Sequence, residues 1–425
     1  MPHVAFLNRV YPPASGATGA LLSELAPALV GRGWRVTVVT GPADGAPASE
    51  VTDQNVRVER VQGLSFSRGN KLRRALAYGS LFPALFARTL QLPSPDVIVT
   101  KTDPPMLKVL GPLLGRLTGA RVVHWAQDLY PEVAEGVGVI REGGALAQGL
   151  RRLSTWALRG HDHVVTVGRH MRERLVQGRG LRGNAVSKIP NWPPAVVAPV
   201  AHEKNPFQAK HDLEDRFVIM YSGNMGLAHP FGVLLDAAAR LQETVPEACI
   251  LFVGNGPRKA PLQQEVGRRG LSNVRFLPFQ PREHLDRSLS AADLHLVTMQ
   301  NKLSGLVVPS KLYGALGAGR PVLFLGPEDS EAARMVEAHD CGTVHPDPSA
   351  RALARTIEGW HQVPNRWTAA CQRARGAVDE ARAKAVRRFD TLFWDVLQQD
   401  AASQPAAPPA APERSEAHRT VQPVA

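Results

Sequence analysis

VVPSKLYGALGAGRP, residues 307–321, joins a Pro-Ser-Lys turn to a helix of small residues that ends at Gly-Arg-Pro. Ser310 and Lys311 provide a hydroxyl, an ammonium and backbone N–H groups at the start of that helix, where the helix dipole favours anions. The small residues allow the helix to lie close to a neighbouring segment, and Gly319 with Pro321 ends it. The segment predicts a phosphate-binding helix N-terminus; the alternative is an ordinary helix packed on a sheet.

The residues before this helix repeat one arrangement. YSGNMGLAHPFGVLLD at 221–236 indicates a strand end, a Gly-rich turn and a helix, and FVGNGPRK at 252–259 repeats it. VRFLPFQPREHL at 274–285 and AADLHLVTM at 291–299 continue the alternation of strand, loop and helix. A strand that ends in glycines before a helix is the phosphate-binding geometry of open parallel sheets.

This alternation occurs in both halves of the chain and predicts an α/β protein of two doubly wound parallel-sheet domains. Apolar runs suited to strands buried on both faces occur at 3–8, 35–40, 56–61, 96–100, 121–125, 163–167 and 186–190, and again at 217–222, 249–253, 274–277, 293–297 and 321–325. A Pro-rich crossing at 189–207 is the predicted linker. The predicted division is an N-terminal domain at 1–195, a C-terminal domain at 210–385, a last helix at 386–400 and a disordered Ala- and Pro-rich tail at 401–425.

Composition agrees with at least two domains, because 425 residues are too many for one ordinary core. A content of 44% hydrophobic and 21% charged residues is typical of a soluble globular protein. The three cysteines are far apart and form no Cys-x-x-Cys pair, which argues against a metal site or disulfides and favours a reducing cytoplasm. The N-terminus lacks the pattern of a signal peptide, and no run of apolar residues is long enough to predict a membrane span.

The formal charge of +12 suggests an anionic partner. Nucleic acid is disfavoured, because no interleaving of basic and aromatic residues and no helix-turn-helix spacing occurs. Anionic lipid, or a polyprenyl diphosphate carried in it, is better motivated. The segment 71–90 could be an interfacial helix, and the alternative is a helix docked on the core and kinked at Pro83. Its apolar residues near one helical face are Leu72, Leu76, Phe82 and Phe86.

With YSGNMG, FVGNG, FLPFQP and PSKLYG in this order, the chain resembles the retaining glycosyltransferases of glycosyltransferase family 4. Within them it is similar to the branch that builds bacterial exopolysaccharide and O-antigen, including the colanic-acid type enzymes. The resemblance implies the GT-B fold, in which two Rossmann-like domains face an interdomain cleft and the last helix crosses back to the first domain. It also implies transfer of a sugar from a nucleotide-diphosphate sugar, with a UDP-sugar as the first choice, to a polyprenyl-diphosphate-linked saccharide. The expected location is the cytoplasm, with peripheral contact at the inner face of the plasma membrane.

Departure of the nucleotide leaves negative charge on its phosphate, so cations and backbone dipoles aimed there lower the barrier. Lys311 is the first candidate for this catalytic role. The turns and the resemblance together assign the donor to Gly16, Gly19, Gly223, Asn224, His229, Gly254, Gly256, Phe279, Gln280, Ser310 and Tyr313. Two departures from the family matter: Asn224 and His229 stand where most members have Arg and Lys, and Leu306 and Gly314 stand where many have two Glu residues. Phosphate binding is therefore expected to depend more heavily on Lys311.

HWAQDLYPE at 124–132 reaches the C-terminal end of a strand, where open α/β sheets bind ligands. Asp128 is the expected catalytic group that orients or deprotonates an acceptor hydroxyl, and Glu132 could serve instead. Gln127, at a position where many relatives carry His, and Tyr130 complete the predicted acceptor site.

Several chemistries are disfavoured. No Asp-x-Asp sequence occurs, so metal-independent transfer is expected, and the nucleotide sugar is a substrate and not a cofactor. The spacing of Gly16 and Gly19 lacks the first glycine of the dinucleotide fingerprint, which argues against NAD. No well-placed carboxylate nucleophile is found, which favours front-face attack within an ion pair. The remaining alternatives are a sugar-nucleotide 2-epimerase of the same fold and a non-catalytic nucleotide-sugar binding protein.

Overall fold

The chain forms two parallel-sheet α/β domains, which confirms the predicted fold class. The computed structural model describes residues 1–14, 16–63, 71–226, 231–347 and 349–398, with only the backbone described at 71–75. His229 and the predicted tail at 401–425 lie outside the described residues. Within the described part of the chain, no helix is both long and apolar enough to cross a membrane.

The N-terminal sheet has eight strands in the order β3-β4-β2-β1-β5-β6-β7-β8. These are β1 His3–Asn8, β2 Arg35–Thr40, β3 Ser49–Val51, β4 Val56–Arg60, β5 Val97–Thr100, β6 Arg121–Ala126, β7 His163–Thr166 and β8 Val186–Lys188. All neighbours are parallel except β3, which is antiparallel to β4. Chain order reverses between β1 and β5, so the carboxyl ends of these central strands border a crevice.

The C-terminal sheet has six strands in the order β11-β10-β9-β12-β13-β14, all parallel. These are β9 Phe217–Ser222, β10 Ala248–Val253, β11 Val274–Leu277, β12 Leu294–Thr298, β13 Val322–Leu325 and β14 Gly342–His345. All six residues of β10 are buried, as expected of a strand with helices on both faces.

Helices connect the strands of both sheets. They are α1 Ala17–Val30, α2 Lys71–Leu90, α3 Leu110–Thr118, α4 Glu132–Gly136, α5 Ala145–Arg159, α6 Arg169–Arg179, α7 Pro206–Lys210, α8 Gly232–Thr244, α9 Lys259–Arg269, α10 Leu285–Ser290, α11 Ser310–Gly317, α12 Glu331–Ala338, α13 Ala350–Gln362, α14 Pro364–Gly376 and α15 Ala381–Gln398. In α11, a Cβ added to Gly317 would lie only 2.6 Å from Cβ of Pro193. The absence of a side chain at Gly317 therefore allows α11 to lie directly against the interdomain linker.

The last helix, α15, packs into the N-terminal core although it follows the C-terminal domain in the chain. The Phe393 ring lies edge-on to Phe6 of β1 at 6.1 Å and to Trp34 at 5.7 Å between centroids. Phe389 contacts Trp125 of β6 at 4.6 Å. The N-terminal core is thus completed by the C-terminal end of the described chain.

Helix α2 docks on the N-terminal sheet, as in the second of the two alternatives. Leu81 and Leu85 are buried in one cluster with residues of β1 and β5, and Ala77, one turn earlier, is buried as well. Phe82 and Phe86 are partly buried against the same cluster, whereas Leu76 is exposed. The apolar residues grouped by the sequence pattern therefore do not form one free face, and Leu72 lies among the side chains that are not described.

Two strands were not predicted. β3 has no buried residue and pairs only at the edge of the sheet, and β14 is half-buried along its whole length. Neither has a run of buried apolar residues, which is the signal by which the other strands were predicted.

Candidate active site

The two domains meet at the carboxyl end of β6. The Leu129 N–H donates to the Leu306 carbonyl at 2.9 Å, and Asp128 pairs with Val307 in an isolated antiparallel bridge. Val307 is four residues before Lys311 in the chain. Backbone pairing thus brings the predicted acceptor loop to the segment that leads into α11.

Two further contacts join the domains on either side of this bridge. Glu331, the first residue of α12, accepts a hydrogen bond from the Arg169 N–H at 2.8 Å and from Lys188 Nζ at 3.1 Å. Arg282 pairs with Glu24 of α1 at 3.2 Å, and Glu24 also accepts from Trp192 Nε1 of the linker at 3.0 Å. The relative placement of the two domains therefore depends on charged groups from several elements.

Lys311 lies in the first turn of α11 and is half-buried. Its Nζ is 4.9 Å from the centroid of the Tyr221 ring, and no hydrogen bond or ion pair to its ammonium occurs within the described residues. Burial lowers the pKa of this ammonium to about 8. Lys311 therefore offers a cation that no described carboxylate neutralises, beside a helix N-terminus without a side-chain cap.

One Gly turn lies directly against this lysine, and a second Gly turn packs on the first. Gly223 has a φ of 132°, and a Cβ added there would lie 2.7 Å from Lys311 Cε. Gly254, with a φ of 142°, approaches so closely that an added Cβ would lie 2.1 Å from the Gly223 carbonyl oxygen. The third turn glycine, Gly256, packs in the same way on Met225. Side chains at these positions would disrupt the turns, so glycine is required by the backbone geometry.

The remaining predicted donor groups of this domain surround these turns. Asn224 and Ser310 are exposed, and the Asn224 carbonyl accepts from the Tyr221 hydroxyl at 2.7 Å. The Phe279 ring is 51% exposed and its Cε1 lies 3.3 Å from the Cβ position of Gly254. Gln280 is half-buried and donates to the Pro278 carbonyl at 3.0 Å. An exposed aromatic ring next to a Gly turn is suited to stacking on a flat ligand group.

Across the crevice, α1 begins directly after the first predicted glycine of the N-terminal domain. A Cβ on Gly19 would lie 2.6 Å from the Val10 carbonyl oxygen, and one on Gly16 would lie 2.9 Å from Val10 Cγ2. These two glycines therefore allow the loop after β1 to fold tightly onto the start of α1.

Asp128 is half-buried, and burial, with a smaller contribution from the negative charge of Asp103, raises its pKa to about 7. Asp103 is itself held by Arg9, with oxygen-to-nitrogen distances of 2.7 and 2.8 Å. The Asp128 carboxyl can therefore exchange a proton near neutral pH, the property required of a general base. Asp103 was not predicted, although it also follows the end of a central strand, β5.

The other predicted acceptor and wall residues have structural partners. Gln127 is 8% exposed and forms a reciprocal amide pair with Asn191, at 3.0 and 2.8 Å. Tyr313 is 2% exposed and lies in a core cluster shared by both domains. A substrate could reach neither side chain without displacing this packing.

Glu132 and Tyr130 are also engaged. The Glu132 carboxylate forms a short ion pair with Arg179 and lies 4.0 Å from Arg151. The Tyr130 carbonyl accepts from Lys108 Nζ and Ser154 Oγ, both at 3.0 Å, and burial raises the pKa of the Tyr130 phenol. Of the predicted acceptor residues, Asp128 is the one whose pKa is suited to proton transfer near neutral pH.

No group of three or more His, Cys, Asp or Glu side chains that could hold a metal ion occurs among the residues the structure describes.

Two protein families match this chain, one in each of its two domains. The model of the glycosyl transferase 4-like domain matches residues 16–192, and that of the glycosyl transferases group 1 matches residues 203–375. WcaI of Escherichia coli (strain K12), named as a colanic acid biosynthesis glycosyl transferase, is 27% identical over 403 residues, which are 89% of this chain and 96% of WcaI.

Solved structures share the architecture. Sucrose-phosphate synthase from Thermosynechococcus elongatus superposes with a TM-score of 0.72 at 16% identity, over 95% of this chain and 100% of that chain. Anabaena HepE, in complex with UDP and glucose, superposes with a TM-score of 0.67 at 19% identity, over 95% and 99%. The chain is therefore a glycosyltransferase of the GT-B fold, composed of a glycosyl transferase 4-like domain and a glycosyl transferases group 1 domain.

Proposed function

We propose that this glycosyltransferase moves a sugar from a nucleotide-diphosphate sugar, first of all a UDP-sugar, to a lipid-linked saccharide in the synthesis of a cell-envelope polysaccharide. The observation that carries the proposal is the Lys311 ammonium, which has no carboxylate partner among the described residues and lies against the Gly223 turn at the start of α11. A cation and free amides in this arrangement suit a diphosphate.

In the proposed mechanism, Lys311 and the first amides of α11 stabilise the charge that develops on the departing diphosphate. Asp128 orients the acceptor hydroxyl and takes its proton. The acceptor attacks from the side that the diphosphate leaves, which retains the configuration of the sugar without a covalent intermediate. Transfer requires no metal, because the cationic role belongs to the protein.

The choice of substrates draws on the relatives. The name of WcaI refers to colanic acid biosynthesis, and HepE was solved with UDP and glucose. A polysaccharide product and a UDP-sugar donor are therefore the first choices for this chain. The formal charge of +12 agrees with an acceptor carried in an anionic membrane.

The test is incubation of the purified protein with a panel of UDP-, GDP- and dTDP-sugars and a synthetic lipid-linked saccharide, followed by mass spectrometry. We expect the acceptor to gain the mass of one sugar, and the nucleotide diphosphate to appear in equal amount, with and without EDTA. Epimerised donor without transfer, or binding of donor without any product, would contradict the proposal. Loss of transfer in EDTA would reject the metal-independent mechanism alone.

The pH dependence of kcat/KM is expected to be bell-shaped. Asp128 must be ionised to accept a proton, so the rate rises with pH through about 7, and Lys311 must be protonated, so the rate falls through about 8. Initial rates from pH 5.5 to 10 check both limbs. In Lys311→Arg the basic limb should disappear, because a guanidinium stays protonated over this range; an unchanged basic limb would show that another group titrates.

A further inference from the structure

A cavity of about 1130 Å³ lies behind the interdomain bridge, between α4, α5, the end of α6 and residues 302–306 of the other domain. Leu129 and Leu306, whose backbones form the bridge, contribute to its wall. The cavity therefore adjoins the loop that carries Asp128, although it is separate from the turns around Lys311.

Cations outnumber carboxylates in this cavity. Arg151 and Arg179 are engaged by the carboxylates of Glu132 and Glu135. Three further arginines, Arg152, Arg159 and Arg174, line the same cavity and have no carboxylate partner among the described residues. One nitrogen of Arg159 donates to the Arg179 carbonyl at 2.9 Å. Most guanidinium donors of these three residues thus remain available, and guanidinium groups suit phosphate oxygens.

Helix α5 presents an apolar stripe beside these cations. Leu146, Leu153 and Trp156, at positions i, i+7 and i+10, are 64%, 40% and 43% exposed. The opposite face of α5, which includes Ala147 and Leu158, is buried in the protein. The helix therefore packs through that face, and the apolar stripe stays exposed. Trp156 lines the cavity as well, which makes the cationic and apolar surfaces continuous.

We propose that this cavity binds the diphosphate of an amphiphilic, lipid-linked substrate, with the first part of its apolar chain lying along Leu146, Leu153 and Trp156. The site rests on the proposed function, because it takes the acceptor to be lipid-linked. An amphiphilic diphosphate would use both features of the site: its head suits three guanidinium groups that no described carboxylate neutralises, and its apolar chain suits the adjoining stripe. A free anion would use only the first feature. The position of Leu129 places the bound acceptor next to the Asp128 loop.

The test is calorimetric titration of Lys311→Ala protein, in which the diphosphate site at α11 is weakened, with farnesyl diphosphate and with inorganic pyrophosphate. We expect farnesyl diphosphate to bind at least about tenfold more tightly than pyrophosphate. Adding Arg152→Gln with Arg159→Gln should weaken both ligands about tenfold or more. Adding Leu146→Ser with Trp156→Ser should remove the preference for farnesyl diphosphate and leave pyrophosphate binding unchanged.

A matched control is Arg351→Gln with Arg355→Gln, which removes two exposed charges from α13 of the other domain and should change neither affinity. Equal affinities for the two ligands, or equal losses in the control and the cavity variants, would overturn the proposal. Binding to phosphatidylglycerol vesicles without binding to farnesyl diphosphate would also overturn it, in favour of a general membrane surface. The titration uses no nucleotide sugar, so its result is independent of whether the donor assignment holds.

Discussion

Replacement of Lys311 with alanine is expected to lower kcat/KM by at least a hundredfold, a loss of about 2.7 kcal/mol of transition-state stabilisation. The expected size follows from the composition of the site. Asn224 supplies no fixed charge at the neighbouring turn, and the Lys311 ammonium lies against the Gly223 turn at the start of α11 without a carboxylate partner among the described residues. In the proposed mechanism this ammonium stabilises the charge on the departing phosphate directly. Steady-state rates with the donor identified by the panel measure the effect.

The folded state should tolerate this change. The Lys311 ammonium is desolvated without a carboxylate partner, which is the reason that its pKa falls to about 8, and its removal should not reduce thermal stability. Lys311→Arg keeps the charge and is expected to retain part of the activity. Activity of Lys311→Ala within threefold of the parent, with an unchanged melting temperature, would reject the role of Lys311.

Asp128→Asn is expected to lower kcat by a factor on the order of 10² to 10⁴, the usual contribution of a general base. Asparagine keeps the shape of the side chain and the backbone bridge to Val307, so the change removes the proton acceptor alone. Single-turnover rates at pH 8 measure it. A loss below fivefold would show that another group takes the acceptor proton.

The same variant should be more stable than the parent at pH 8. The pKa of Asp128 is about 7 in the folded protein and 3.8 in the reference state, so ionisation is disfavoured by folding. Stability is therefore lost as pH rises from about 4 to about 7, and a neutral asparagine avoids this loss. Melting temperatures of the two proteins should separate at pH 8 and converge near pH 4.

Asp103→Asn provides the matched control for Asp128. It removes the neighbouring negative charge that raises the Asp128 pKa, and it leaves the candidate base in place. We expect the acidic limb of the pH profile to move to lower pH without a loss of rate at the optimum comparable to that of Asp128→Asn. An unmoved limb would show that this limb does not belong to Asp128.

Much of the fold was predictable, because parallel strands that are buried on both faces consist of short runs of apolar residues. The predicted bounds 3–8, 35–40, 217–222 and 274–277 are those observed. The first three belong to β1, β2 and β9, which have a neighbouring strand on each side and are almost wholly buried. The edge strands β3 and β14 carry no such run and were missed. The two interpretations of α2 could not be separated by periodicity, because a helix that docks on a core and one that lies on a membrane have the same amphipathic pattern.

The site was predictable where it is local in sequence. The Gly turns and Lys311 belong to continuous segments with recognisable chemistry. Asp103 raises the pKa of Asp128, from which it is 25 positions away, and Glu331 accepts a hydrogen bond from Arg169 of the other domain. The residues that flank Asp103 and Glu331 in the sequence do not indicate these partners. The amide pair of Gln127 with Asn191 could not be predicted for the same reason, since the two residues are 64 positions apart in the sequence.

The crossing of α15 has a consequence for biogenesis. Phe389 and Phe393 contribute to the same cluster as Phe6, Trp34 and Trp125, so a nascent chain that has left the ribosome only as far as the linker lacks part of its first core. Until α15 has emerged, Phe6, Trp34 and Trp125 lack the ring contacts that Phe389 and Phe393 provide. Completion of the N-terminal core therefore depends on a helix that is synthesised after the strands of the C-terminal domain.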